Sequence, residues 1–144
     1  MTDSGYIDTS CLLKLLLPEP ESGAVAELVT EQKRLIVSSL AELEARSQLS
    51  ALRRGGAMRP SQYRASTERL DVLMGQAPFE PVPLGGDVFD AAIAQVRERG
   101  TVHCRTLDRL HLAAMQVLEI AVLLTTDRQQ AAAARGLGLR VLLP

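Results

Sequence analysis

The sequence contains no tryptophan and no asparagine, and only two each of cysteine, lysine, phenylalanine and tyrosine. With so few aromatics, any core must be built from aliphatic side chains. Without asparagine there is no acceptor for N-linked glycans. Cys11 and Cys104 show neither a CxxC spacing nor a partnering histidine motif. That usage excludes a disulfide scaffold and makes a reduced, cytoplasmic protein the expectation. The start, "MTDSGYID", has no basic segment or apolar signal core. No apolar run approaches the roughly 20 residues of a membrane span, so no membrane partner is expected.

Charge of one sign is also lacking. The net charge is −1, which excludes a molecule drawn as a whole to nucleic acid but leaves room for a local basic surface. Nearly all the basic residues are arginine, since Lys14 and Lys33 are the only lysines. Arginine suits phosphate contacts, although arginine richness also follows from genome composition. What is present is a 47% hydrophobic chain of 144 residues, enough for one domain with a real core.

Strand-like and helix-like segments alternate along the chain. Tyr6-Ile7 reads as a short buried strand ending at Asp8. Thr9 or Ser10 can cap the following helix, which runs to about Leu17 and is stopped by Pro18 and Pro20. A helix fits Glu21 to Gln32, and "RLIVSS" reads as the next strand. "LAELEARSQLSALRR" is helix-forming throughout and ends at Gly55-Gly56. Further helices fit Arg59 to Gly75 and Asp87 to Arg99, with a short strand at Val82 between them. "TLDRLHLAAMQVLE" reads as a striped helix and "IAVLLTTD" as the clearest buried strand. A helix over Arg128 to Arg135 and a strand over "LRVLL" complete the chain.

This alternation predicts an α/β fold, a mostly parallel sheet covered by helices on both faces. The helical stretch from about 41 to 75 is longer than one crossover needs. It is expected to project as a helical pair, with Leu49, Leu52, Tyr63, Leu70, Leu73 and Met74 as an apolar surface for self-association.

In an open parallel sheet, ligands bind outside the carboxyl ends of the strands. Asp8 and Asp127 follow predicted strands, and Glu44 and Asp108 lie near the starts of helices that follow a strand or loop. In a parallel sheet all four can converge on one rim. Carboxylates gathered there repel, and they stay ionised only with a cation or else take up protons. Oxygen-only ligation selects a hard divalent ion such as Mg2+ or Mn2+, and metal-assisted attack on a phosphodiester is the chemistry that uses such a cluster. Taken singly, Asp108 reads equally as a helix cap, and Glu44 as a solvated face with Glu42 as its rival. The joint placement raises the functional reading.

The ordered segments "YIDTSCLLKLL", "VSSLAELEARSQL", "TLDRLHLAAM" and "LLTTDRQQAAAARGLGLRVLLP" resemble the PIN-domain family. The nearest resemblance is to the small ribonuclease toxins of toxin–antitoxin pairs, the VapC type. It covers residue 5 to the end, with no recognisable motif between 55 and 100. The resemblance selects Glu44 over Glu42. It implies a five-stranded parallel sheet in a three-layer α/β/α sandwich, dependence on Mg2+ or Mn2+, and endonucleolytic cleavage of RNA. It also implies a homodimer and inhibition by a cognate antitoxin. Asp8, Glu44 and Asp108 are then the metal candidates, with Asp127 weaker and acting through a bound water.

Thr9 and Thr125 have hydroxyls placed to orient these carboxylates or a phosphate oxygen, or serve as plain caps; for Ser10 the cap is the favoured role. Arg97, Arg99, Arg105 and Arg109 offer an RNA-backbone surface, with a solvated helix end as the equal alternative. His111, among Leu110, Leu112, Ala113 and Ala114, reads as a packed structural histidine rather than a metal ligand, and Asp3 as a solvated terminus. Two other functions compete. A phosphate-signalling receiver wants an acidic pair at the first strand and a lysine after a late one, and this chain has neither. A silent PIN domain acting as an interaction module is opposed by the intact set of four acids.

Overall fold

The computed structural model describes residues 4–144, so Asp3 lies outside the described residues. Among them the chain forms five strands: β1 (Ser4–Ile7), β2 (Arg34–Ser38), β3 (Phe79–Val82), β4 (Val122–Leu124) and β5 (Arg140–Leu142). Seven helices connect or flank them: α1 (Thr9–Leu16), α2 (Ser22–Thr30), α3 (Ser39–Arg54), α4 (Pro60–Met74), α5 (Asp87–Arg97), α6 (Thr106–Leu118) and α7 (Arg128–Gly136). The strands form one sheet in the order β3-β2-β1-β4-β5, and every neighbouring pair is parallel.

Period-two alternation splits the strands between two cores. Ile7, Leu35, Val37 and Leu124 enter one core with α1, α2, α3 and α4. Tyr6, Ile36 and Leu123 enter the other with α5, α6 and α7. The chain therefore builds three layers with the sheet in the middle. Crossovers after β1 and β2 use one face, and those after β3 and β4 use the other. The reversal falls between β1 and β4, where strands paired by Tyr6–Leu123 and Ile7–Leu124 send their chains to opposite sides. That crevice is where Asp8 emerges.

Several local expectations are corrected. Neither Thr9 nor Ser10 caps α1; Asp8 does, accepting from the Cys11 N–H at 3.1 Å. The β2 strand stops at Ser38, whose hydroxyl caps α3 by accepting from the Ala41 N–H. The β4 strand covers only Val122–Leu124 of "IAVLLTTD", because Thr125 and Thr126 turn toward α7. The β3 strand is longer than expected and includes Pro81, tolerated because β3 is an edge strand with one neighbour.

The apolar positions of the α3–α4 pair are not left bare. Leu49 and Leu70 are fully buried, and Leu52, Tyr63, Leu73 and Met74 pack half-buried against the same core. The pair folds back over α1 and the β2–β3 edge rather than offering those side chains to a partner, because α1 and α2 alone leave that half of the sheet uncovered. Leu43 on α3 and Val72 on α4 stay exposed, but the exposed apolar row lies on another helix. Phe89, Ile93 and Val96 follow one another at i, i+4 and i+7 along α5, and Leu107 opens α6.

Candidate functional site

Four chain segments end at one rim of the sheet, at the carboxyl ends of β1, β2 and β4 and at the start of α6. A cleft of about 270 Å³ opens there, lined among others by Asp8, Glu44, Asp108 and Asp127. Asp8 follows the last residue of β1 and caps α1, which pins its carboxylate at the strand end. Glu44 lies in the second turn of α3, while Glu42 turns away to pair with Arg46. Asp108 is in the first turn of α6, and Asp127 caps α7 by accepting from the N–H groups of Gln129 and Gln130. Gln130, fully buried, donates from Nε2 to the Asp108 carbonyl at 3.1 Å and so fastens α7 to α6 beneath the two acids.

Each carboxylate already has a donor. Asp8, only 4% exposed, accepts from Ser10 Oγ at 2.6 Å and from Thr125 Oγ1 at 2.5 Å. Burial still pushes its carboxyl above the usual range, against the opposing pull of Ser10, Thr125 and the Cys11 N–H. Glu44 accepts from Thr9 Oγ1 at 2.9 Å and from His111 Nε2 at 2.5 Å. Burial pushes Glu44 upward too, but His111, Thr9 and the Arg105 charge outweigh it and hold its pKa below the ordinary value. Asp108 and Asp127 share one cation: Arg105 donates to Asp108 Oδ2 at 2.9 Å and to Asp127 Oδ2 at 3.0 Å.

The four acids thus share a cleft without meeting at a point. Among the described residues, no group of three His, Cys, Asp or Glu side chains stands close enough to hold a metal ion in this conformation. The donor set nonetheless fits a hard cation. It is all carboxylate oxygen, and hydroxyls of Thr9, Ser10 and Thr125 are already bonded to the ligating groups.

Of the four arginines expected to form an RNA surface, only Arg105 lines the cleft. Arg97 and Arg99 are exposed but do not line it. Arg109 is not a surface residue at all. It is 5% exposed and donates to Gln95 Oε1 at 3.1 Å and to the Val102 carbonyl at 2.6 Å, tying α6 to α5 and the intervening loop. Helical periodicity explains the difference: one position on from Asp108, the α6 side chain turns from the cleft into the α5–α6 contact.

Ser10 is a direct donor to Asp8 and accepts from the Thr126 N–H at 3.0 Å, joining α1 to the end of β4. Lys14 also lines the cleft, paired with Glu19 and Glu21. His111 is packed as expected, but its ring reaches Glu44 and Tyr6, contacts that reading its neighbours in sequence did not reveal. The available signals were small: Tyr6 stands two residues before Asp8, and His111 one helical turn after Asp108.

Comparison with known proteins agrees with this architecture. Residues 5–136 match the model of the PIN domain. Ribonuclease VapC46 of Mycobacterium tuberculosis is 30% identical over 141 residues, covering 96% of each chain. Among solved structures, the chain is similar to VapC20 of the same organism, described as a toxin that cleaves the sarcin–ricin loop. The TM-score is 0.71 at 16% identity, covering 97% of this chain and 99% of that one. It is also similar to VapBC2 of Rickettsia felis bound to a promoter DNA fragment, with a TM-score of 0.71 at 12% identity and 98% coverage of both chains.

Proposed function

The chain belongs to the PIN-domain family, and from that premise we propose that it is a divalent-metal-dependent endoribonuclease, the toxin of a toxin–antitoxin pair. One observation carries the reading: acids from four separate segments line a single cleft at the carboxyl ends of a parallel sheet, at its topological reversal. Asp8, Glu44 and Asp108, with Asp127 at the margin, would hold Mg2+ or Mn2+. The bound ion would lower the pKa of an attacking water and polarise the phosphodiester. Thr125 and Ser10 orient Asp8, and Thr9 orients Glu44. Arg105, exposed at the lip and paired with Asp108 and Asp127, would contact an RNA phosphate. A nearly neutral protein with an acidic cleft needs such a local cation to accept a polyanion.

The test is direct. Purified without a partner, the protein is expected to cut single-stranded or loop RNA with Mg2+ or Mn2+ and to stop when EDTA is added. No cleavage of any RNA, or cleavage indifferent to EDTA, overturns the reading. The likeness to a toxin–antitoxin complex from Klebsiella pneumoniae, with a TM-score of 0.62 at 16% identity, supports a cognate antitoxin as partner. No helix among the described residues is long and apolar enough to cross a membrane.

A homodimer belongs to the same reading, but not through Leu49, Leu52, Tyr63, Leu70, Leu73 and Met74, which the chain's own core uses. The α5 face suits a second copy better: Phe89 is 59% exposed, Ile93 51% and Val96 66%. Asp90 and Arg97 lie on the same helix, so a twofold axis can set unlike charges opposite each other. Ile93→Asp is expected to turn a dimer into a folded monomer in sedimentation, whereas Leu43→Asp, on α3, leaves it dimeric. A wild-type monomer, or a dimer indifferent to Ile93→Asp, rejects this interface.

A further inference from the structure

Beneath the cleft, a line of polar side chains crosses an otherwise aliphatic core. Ser38 and Tyr6 are fully buried and His111 is 1% exposed. Tyr6 Oη lies 2.7 Å from Ser38 Oγ and 2.6 Å from His111 Nδ1. On the far side of the ring, His111 Nε2 lies 2.5 Å from Glu44 Oε1. The Tyr6 and His111 rings meet edge to face at 5.6 Å. The line thus joins β2, β1, α6 and α3, and it ends on an acid of the cleft.

The line has one self-consistent direction. Ser38 Oγ accepts from the Ala41 N–H, so its own proton is available to Tyr6 Oη. A tyrosine phenol carries its proton at neutral pH, so Tyr6 Oη has it to give to a neighbour within hydrogen-bond distance. Given to His111 Nδ1, it leaves the ring's other nitrogen as N–H, and Glu44, a carboxylate, can only accept. A donor is therefore fixed at Oε1. Thr9 Oγ1 donates to the same oxygen at 2.9 Å, which leaves Oε2 for a ligand in the cleft.

We infer that His111 is a positioning residue for Glu44, and that Ser38 and Tyr6 set its tautomer and ring orientation from inside the core. The inference rests on the metal-dependent reading of the cleft. Apolar side chains of similar volume would fill this part of the core equally well, since a satisfied buried polar pair adds little net stability over an isosteric apolar one. What the polar line adds is a carboxylate held in one rotamer, and hydrogen-bond partners behind a metal ligand typically govern affinity by about 10- to 100-fold. Tyr6 and His111 stand 105 positions apart in sequence. The fold alone brings them together.

The test compares Tyr6→Phe, His111→Leu and His111→Gln with wild type. Mn2+ binding is read by calorimetry without RNA, kcat and KM are read with RNA, and folding is read by thermal melting. Tyr6→Phe keeps the ring and removes only the hydroxyl. It is expected to fold, to bind Mn2+ about tenfold more weakly and to lose kcat with KM for RNA unchanged. His111→Leu is expected to lose more, and His111→Gln, whose amide can still donate to Glu44, to recover most of it. A folded Tyr6→Phe with wild-type Mn2+ affinity and kcat overturns the inference while leaving the nuclease reading intact. Should His111→Leu fail to fold, Tyr6→Phe still decides. A wild-type protein that neither binds Mn2+ nor cuts RNA overturns the nuclease reading, and this inference with it.

Discussion

Asp8→Asn is expected to reduce RNA cleavage by about a thousandfold or more, equivalent to about 4 kcal/mol of transition-state stabilisation, while the fold persists. The substitution removes a charge and keeps the shape. Asn retains an oxygen for the Cys11 N–H that Asp8 now accepts, so α1 keeps its cap. Ser10 can still donate to that same oxygen, and the amide NH2 would meet only Thr125, whose hydroxyl can rotate from donor to acceptor. Without metal the variant should melt no lower than wild type, because it deletes a charge at a site 4% exposed. The sign follows from the raised folded-state pKa. Any stability from protonated Asp8 is fully present below its ordinary 3.8 and is lost as pH rises through the higher folded value. The metal-free wild type should therefore lose more stability than Asp8→Asn between acid and neutral pH. Added Mn2+ should raise the melting temperature of wild type and leave the variant unmoved. Asp127→Asn should cost less than Asp8→Asn, since Asp127 is more exposed and already serves as a helix cap. Undiminished cleavage by Asp8→Asn would sink the mechanism.

Leu70→Ala is expected to destabilise the protein by about 2–5 kcal/mol in urea unfolding, a large part of the stability of a domain this size. Leu70 is fully buried, and Ser66 is the only other buried residue of α4. The remaining anchors, Tyr63, Leu73 and Met74, are half-buried against the same core. The polar links that also hold α4 are weak. Arg46–Asp71 is an exposed pair, worth about 0–1 kcal/mol, and Arg69 donates to the Leu15 carbonyl at the surface. Trimming Leu70 would leave a cavity against Leu49 and the first helices, and α4 has no second buried apolar residue to close it. Activity should fall only in proportion to the unfolded fraction, because α4 contributes no side chain to the cleft. A cost below about 1 kcal/mol would mean that α3 and α4 do project from the sheet, as the sequence suggests.

The sequence by itself determined the order of strands and helices, the aliphatic nature of the core and the four acids at segment ends. These are local properties. Period-two and period-3.6 patterns, the proline stops after Leu17 and the glycines after Arg54 and Arg99 are each read within a few residues. Once the strands are parallel, an acid just beyond a strand must lie on one rim, so Asp8 and Asp127 could be placed without knowing the strand order.

The tertiary structure alone decided what each side chain touches. Asp8, not Ser10, caps α1, because Ser10 is drawn across to Thr126 at the end of β4. Arg109 is buried against Gln95 and Val102 rather than set out for RNA, because α5 packs over that face of α6. Leu49 and Leu70 are core and Phe89 and Ile93 are surface, although all four are large apolar side chains on helices. The helix pattern shows that a stripe seeks cover but not which surface supplies it. Tyr6, Ser38, His111 and Glu44 form one hydrogen-bonded line only because the fold brings β1, β2, α3 and α6 together. Contacts across 32, 105 and 67 positions leave no trace in local spacing, since each depends on how distant segments share a single closed volume.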